Sequence, residues 1–257
     1  MNNSYIAVFD SGVGGLNILE SLIKSYPNEN FIYLADEDFF PYGIKTTNQL
    51  ENRLTKITKK LIEFDIKAIV IACNTASANS MHLNKITNIP IIEIITATAN
   101  YALEMSKLKK IGVWATNATI KSNRYQTIIN ENGICYPVPA SDLVELIENN
   151  QMDTALCRKI VQKHLEEIND ADSLIMGCTH FPLLKDIVFE YNPNLVQISS
   201  NKPVEYAVKK LLDTGLEHEA NDKQIIDLYT TKINGELNIK VKRFDIIPNS
   251  INYLEIK

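Results

Sequence analysis

KAIVIACNTAS, residues 67–77, and DSLIMGCTHFP, residues 172–182, share one pattern. In each, an apolar run ends on a small residue, Ala72 or Gly177. A cysteine follows, then hydroxyl or amide side chains, then a helix start. Near-continuous apolar runs of this length suit parallel strands covered on both faces. The same alternation extends outward from them. Ile6–Asp10, Asn30–Asp36, Pro90–Ile95, Lys109–Ala115 and the IIDLYTT stretch from Ile225 have strand character. Leu16–Tyr26, Asn48–Phe64, Asn117–Asn132, Asp142–Glu148, Met152–Asn169 and Pro203–Thr214 have helical spacing. Such alternation predicts an α/β fold with mainly parallel sheets. The two cysteine segments stand about one domain length apart. They read as two similar α/β halves, each presenting a thiol at the carboxyl end of a strand, where open α/β sheets bind ligands.

Composition narrows the class. A chain of 257 residues, 45% hydrophobic and 22% charged, can bury a sizeable core in one large domain or two smaller ones. With 26 Lys+Arg against 31 Asp+Glu, the net charge of −5 argues against nucleic acid as a partner. The four cysteines, Cys73, Cys135, Cys157 and Cys178, contain no CxxC pair and are too sparse for a secreted disulfide scaffold. The start, MNNSYIAVFD, lacks signal-peptide character, and no apolar stretch approaches the roughly 20 residues that span a bilayer. The expectation is a cytoplasmic protein with free thiols and no membrane partner. There is no linker; the polar stretch Glu217–Lys223 is the one weak shift in composition.

A helix N-terminus carries free N–H groups and partial positive charge. It can draw a cysteine's pKa down from about 8.5 and can hold a substrate carboxylate. Asn74, Thr75 and Thr179 add short hydrogen-bonding side chains at the same places. One such segment alone reads more readily as a small buried thiol followed by helix caps; two matched segments favour chemistry. Zinc held by Cys73, Cys178 and His180 lacks structural-site spacing. A cysteine phosphatase needs an arginine absent from CNTASAN and CTHFPLL. A Cys178–His180 hydrolase leaves Cys73 unexplained. FDSGVGGLN, residues 9–17, lacks both the GxGxxG spacing and the Lys-Ser/Thr of a phosphate loop. It is a tight strand–helix turn that can also aim Asp10 and Ser11 at a ligand. In DFFPYG, residues 38–43, Tyr42 is either packing or, with Gly43, a source of O–H and N–H donors.

FDSGVGGLN, PYG, ACNTAS and GCTHFPLL, in this order, resemble the glutamate racemases; IGVWATNATIKSNRY and DLVELIEN extend the likeness over about the first four-fifths of the chain, and DLYTT continues it weakly. The resemblance implies a cofactor-independent isomerase that interconverts L- and D-glutamate and supplies D-glutamate for peptidoglycan. It implies two α/β domains related by pseudo-twofold symmetry with the active site at their interface: residues 1–96 plus 208–257, and residues 97–207. By the same analogy Cys73 acts on D-glutamate and Cys178 on L-glutamate, with Asp10 assisting Cys73, and His180 and Glu148 assisting Cys178. Substrate contacts fall on Asp10, Ser11, Tyr42, Gly43, Asn74, Thr75, Thr179 and His180. No metal is implied. Dimers are common in that family, and no interface is legible here.

The residues suit that chemistry. Racemisation removes the Cα proton from one face and returns one to the other, which two thiols in opposite protonation states accomplish. Hydrogen bonds to the α-carboxylate must stabilise the carbanion, a task for Asn74, Thr75 and Thr179. Read from the sequence alone, Glu148 is a solvated helix residue. Cys135, Cys157, His82, His164, His218 and Trp114 read as packing or surface residues. Several positions depart from the family pattern: Glu93 and Ala97 replace a common glycine and proline, Ala35 replaces a glycine, and Phe39–Phe40 is bulky. Aspartate as the substrate, or a non-catalytic binding protein on the same fold, are the alternatives; binding alone requires neither thiol.

Overall fold

A computed structural model describes residues 4–168, 170–218 and 223–257. The chain divides into two compact units, Met1–Ile94 with Asn201–Lys257, and Ile95–Ser200. In the first, β1 (Tyr5–Asp10), α1 (Leu16–Ser25), β2 (Asn30–Ala35), α2 (Thr47–Leu61), β3 (Ile66–Ile71), α3 (Asn74–Ala78) and β4 (Ile91–Glu93) follow in turn. α4 (Ile94–Met105) leads into the second unit. There β5 (Lys110–Ala115), α5 (Asn117–Lys121), α6 (Arg124–Ile129), β6 (Ile134–Pro139), α7 (Ser141–Glu148), α8 (Ala155–Glu166), β7 (Ser173–Gly177), α9 (Lys185–Tyr191) and β8 (Val196–Ile198) follow. The first unit resumes with α10 (Asn201–Leu212), β9 (Ile226–Thr230), α11 (Leu237–Lys240) and β10 (Ser250–Tyr253).

Every strand pairing is parallel. The first sheet runs β10-β9-β2-β1-β3-β4 and the second β6-β5-β7-β8. Within each unit the first four strands in chain order therefore lie second, first, third, fourth, and each cysteine segment follows the third of them. The α/β reading of the sequence is realised in both units. The side-chain alternation of a strand accounts for two cores in the first unit. Ile6 and Val8 of β1 pack on one face with Tyr33, Val70 and the α1 residues Leu16, Leu19 and Leu22. Ala7 and Phe9 pack on the other with Ile32, Ile69, Ile71 and the α2 residues Leu50, Leu54 and Leu61. α2 opens with a reciprocal cap between Thr46 and Gln49.

Several expectations are corrected. Val204, Val208 and Leu212 of α10 belong to the first unit's core. The divisions expected at 96/97 and 207/208 therefore lie at 94/95 and 200/201. The single helix expected over Asn117–Asn132 is two, parted at Asn123, whose φ of 58° is left-handed and which a short polar side chain tolerates. The Met152–Asn169 helix is confined to Ala155–Glu166, because the Thr154 side chain caps it. The Pro90–Ile95 run is a three-residue strand that turns into helix at Ile94. β6, β8 and β10 carry no sequence signal used above. β6 holds Pro137 and Pro139, which an edge strand accommodates. Residues 1–3 of the MNNSYIAVFD start, Asn169, and residues 219–222 of the Glu217–Lys223 stretch lie outside the described residues. Among the described residues no helix is long and apolar enough to cross a membrane.

Candidate active site

Parallel pairing brings the carboxyl ends of β1, β2 and β3 to one edge of the first sheet. Asp10 ends β1 and is fully buried. Its Oδ2 accepts from the main-chain N–H groups of Gly12, at 3.2 Å, and Gly15, at 3.1 Å. The glycine loop is thus wrapped around a carboxylate. Gly15 is required by close approach: a Cβ there would lie 2.7 Å from the Asp10 Cβ and 3.1 Å from both the Ala72 Cβ and the Tyr33 hydroxyl. The Tyr33 hydroxyl closes the loop by donating to the Gly12 carbonyl at 2.9 Å.

Cys73 follows β3 and caps α3 with its sulfur, which accepts from the Ala76 N–H at 3.5 Å. The thiol donates toward the Ser11 hydroxyl at 3.5 Å. Asn74 and Thr75, buried beside it, form the first turn of α3. Asp10, Ser11, Cys73, Asn74 and Thr75 are therefore gathered at one sheet end.

Tyr42 and Gly43 lie in a short 3₁₀ turn, Tyr42–Ile44, after β2. Here the expected O–H donor is corrected. The buried Tyr42 hydroxyl is committed to Asp36 Oδ2 at 2.5 Å, so main-chain N–H groups are what the turn can offer a ligand. Burial, followed by the Asp36 charge, raises the Tyr42 pKa well above the usual phenol range. Asp36 is fully buried and also takes Arg53 in a two-pronged contact, Nε to Oδ2 at 2.9 Å and Nη2 to Oδ1 at 2.5 Å. Thr231 adds a third donor, its hydroxyl reaching Oδ1 at 2.8 Å. Sequence reasoning passed over this Asp36 cluster because Arg53 and Thr231 are remote in the chain; the signal was an aspartate at a strand end just before PYG.

The family departures are accommodated locally. Ala35 is buried and in register with both Asp10 and Thr230. Phe39 meets Tyr42 edge-on with ring centroids 5.8 Å apart, with Lys45 and Arg53 over its ring. Phe40 lies where a Cβ on Gly12 would touch it at 3.5 Å. Glu93 ends β4, half-buried and in register with Ile71, and Ala97 is half-buried within α4.

In the second unit Cys178 directly follows β7, with Thr179 half-buried after it. Its sulfur lies 3.5 Å from His180 Nδ1, and His180 Nε2 meets Glu148 Oε1 from the end of α7. Glu148 is thus not merely solvated: it is linked through His180 to Cys178 in a chain of contacts. Burial disfavours the His180 cation, but the Cys178 sulfur and the Glu148 carboxylate outweigh it, and its pKa is pushed up to about 10. Gly177 is required by packing, since a Cβ there would lie 2.6 Å from the Trp114 carbonyl oxygen.

The remaining thiols are disfavoured as thiolates. Burial pushes Cys135 up to about 12 and raises Cys157 as well. His164 is more than packing: buried against Trp114, it lies 3.1 Å from Asp142 Oδ1 and 3.4 Å from Glu167 Oε1. His82 bridges Thr55 and the Glu51 carbonyl of α2, and His218 faces the Ser4 and Asn28 carbonyls. Among the described residues no group of three or more His, Cys, Asp or Glu side chains is arranged to hold a metal.

Known proteins carry the same architecture. The family model described as Asp/Glu/Hydantoin racemase matches residues 17–209. A glutamate racemase from Hydrogenobaculum sp. (strain Y04AAS1) is 36% identical over 234 residues, covering 89% of this chain and 88% of its own. The crystal structure of a Bacillus anthracis glutamate racemase isoform superposes with a TM-score of 0.91 at 29% identity, covering 100% of this chain and 99% of its own. That of the Francisella tularensis glutamate racemase, in complex with D-glutamate, gives 0.90 at 29% identity over the same shares. The chain therefore belongs to the Asp/Glu/hydantoin racemase family, on its glutamate racemase branch.

Proposed function

We propose that this amino-acid racemase interconverts L- and D-glutamate without an organic cofactor, Cys73 and Cys178 serving as the two acid/base groups. The observation that carries this reading is the duplication itself. A thiol follows the third strand in each unit, and each has its own polar escort. One thiolate takes the Cα proton and becomes a thiol. The electron pair left on Cα delocalises into the α-carboxylate, and the opposite thiol delivers its proton to the other face. With L-glutamate, Cys178 is the base and Cys73 the acid; with D-glutamate the roles exchange. Asp10 orients the Cys73 side, and His180 with Glu148 sets the charge on the Cys178 side. Asp10, Ser11, Asn74, Thr75, Thr179, His180 and the main chain at Tyr42 and Gly43 bind the substrate. D-Glutamate made in the cytoplasm would supply peptidoglycan synthesis.

The test is incubation of L-glutamate, and separately L-aspartate, with pure protein in D₂O without added cofactor. Loss of optical rotation with glutamate, and deuterium at Cα of the D-product, is the expected result. Rotation lost with aspartate and kept with glutamate would reassign the substrate. No change with either acid would overturn the racemase reading.

A further inference from the structure

DLYTT, residues 227–231, has no part in the chemistry above, yet the fold delivers its last residue to the substrate loop. β9 pairs in parallel with β2, so their carboxyl ends coincide, with Ala35 in register with Thr230. Thr231 then falls beside Asp36, and its N–H donates to the Ala35 carbonyl at 3.0 Å. Its buried hydroxyl has two partners: it donates to Asp36 Oδ1 at 2.8 Å and accepts from the Asp38 N–H at 3.0 Å. The other Asp36 oxygen holds the Tyr42 hydroxyl at 2.5 Å. Thr230 extends the clamp by donating to Glu37 Oε2 at 2.6 Å. Two consecutive threonines thus grip three consecutive loop residues, and the carboxylate of one of those passes the grip on to Tyr42.

We propose that Thr231 is a positioning residue for substrate capture, fixing the Asp36–Gly43 loop so that the N–H groups of Tyr42 and Gly43 are set before substrate arrives. The inference rests on the reading that this loop binds substrate. A loop ordered during folding need not be ordered again on binding, so the hydroxyl contributes to affinity. A grip present equally in the ground and transition states acts on KM and spares kcat.

The test compares wild type, Thr231→Val and Thr231→Ser with L-glutamate. Valine keeps the shape and removes the hydroxyl, and we expect KM to rise about tenfold with kcat within about twofold, the scale of one lost charge-assisted hydrogen bond. Serine restores KM to near the wild-type value. Amide exchange of residues 36–44 should quicken in the valine variant alone. An inactive wild type would overturn the proposed function, which that measurement reads separately. An active wild type with unchanged KM in Thr231→Val, or with a fall confined to kcat, would overturn this inference. If the valine variant does not fold, Thr231→Ala removes the same hydroxyl with less bulk: a raised KM with preserved kcat and faster exchange at 36–44 supports the clamp, and an unaltered KM overturns it.

Discussion

Beside Cys73 the neighbouring strand β1 ends in a carboxylate, Asp10, held by two glycine N–H groups. Beside Cys178 the equivalent strand, β5, ends in Ala115 and then Thr116, and charge is brought instead by His180 and Glu148. The order of the first four strands and the place of the thiol after the third are the same in both units. The difference lies in which titratable groups stand at each sheet end, a carboxylate in one unit and an imidazole–carboxylate pair in the other. The contacts of Cys73 include the Ser11 hydroxyl and the Ala76 N–H. Cys178 adjoins a ring that gains and loses a proton. A two-thiol racemase needs unlike protonation states from like positions, and this is where the two sheet ends diverge.

The severest challenge to that comparison is removal of either thiol. Cys73→Ala and Cys178→Ala should each lower racemisation on the order of 10³-fold or more in a polarimetric assay. A variant that keeps its rate would leave that thiol without a chemical role. Next in size, His180→Asn should reduce kcat about 100-fold and slow alkylation of Cys178 while leaving Cys73 unchanged, read by mass spectrometry of the two peptides. Equal slowing at both thiols would dissolve the contrast. His180 also carries a pH signature. Because its folded pKa is raised, its stabilising contribution is complete below its ordinary value of about 6.5 and fades as pH climbs toward about 10. The melting-temperature gap between wild type and His180→Asn should narrow over that window.

Smaller effects are expected from the glycines that let each sheet end pack. Gly15→Ala forces a methyl to 2.7 Å from the Asp10 Cβ, and Gly177→Ala forces one to 2.6 Å from the Trp114 carbonyl oxygen. Each should cost about 1–3 kcal/mol in urea unfolding, and Gly15→Ala should also depress turnover by displacing Asp10. His164→Gln is the mildest change, about 1 kcal/mol of stability. Burial opposes the His164 cation, but Asp142 and Glu167 prevail and raise its pKa. The loss should therefore be greatest below about pH 6.5 and diminish as pH rises through the raised value.

Much of this was legible in the chain because parallel strands advertise themselves. Lys67–Cys73 and Asp172–Gly177 are short apolar runs ending on small residues before a polar cluster, and both thiols follow buried strands. The glycine loop after β1 was equally legible as a tight strand–helix turn, and Asp10 stands at its start. The hydroxyl of Tyr42 stayed open between packing and donor because its partner is a buried carboxylate whose burial no local pattern records. Glu148 looked solvated because helical spacing describes a residue's own helix and not the histidine that reaches it from another segment. β6 escaped notice for a physical reason as well: prolines disqualify a central strand, and only position at the sheet's edge makes them harmless.

The interrupted first unit has a consequence for assembly. Residues 95–200 form one unbroken stretch, whereas β2 must await β9, made only after that whole stretch. Folding of the intervening unit first shortens the loop that the β2–β9 pairing must close, because a compact body replaces a long flexible chain between its ends. Truncation ahead of Ile226 removes β9 and would leave the Cys73 sheet with an uncovered β2 edge, an invitation to aggregate. The thiol nearest the N-terminus in sequence is accordingly the last to receive a finished sheet.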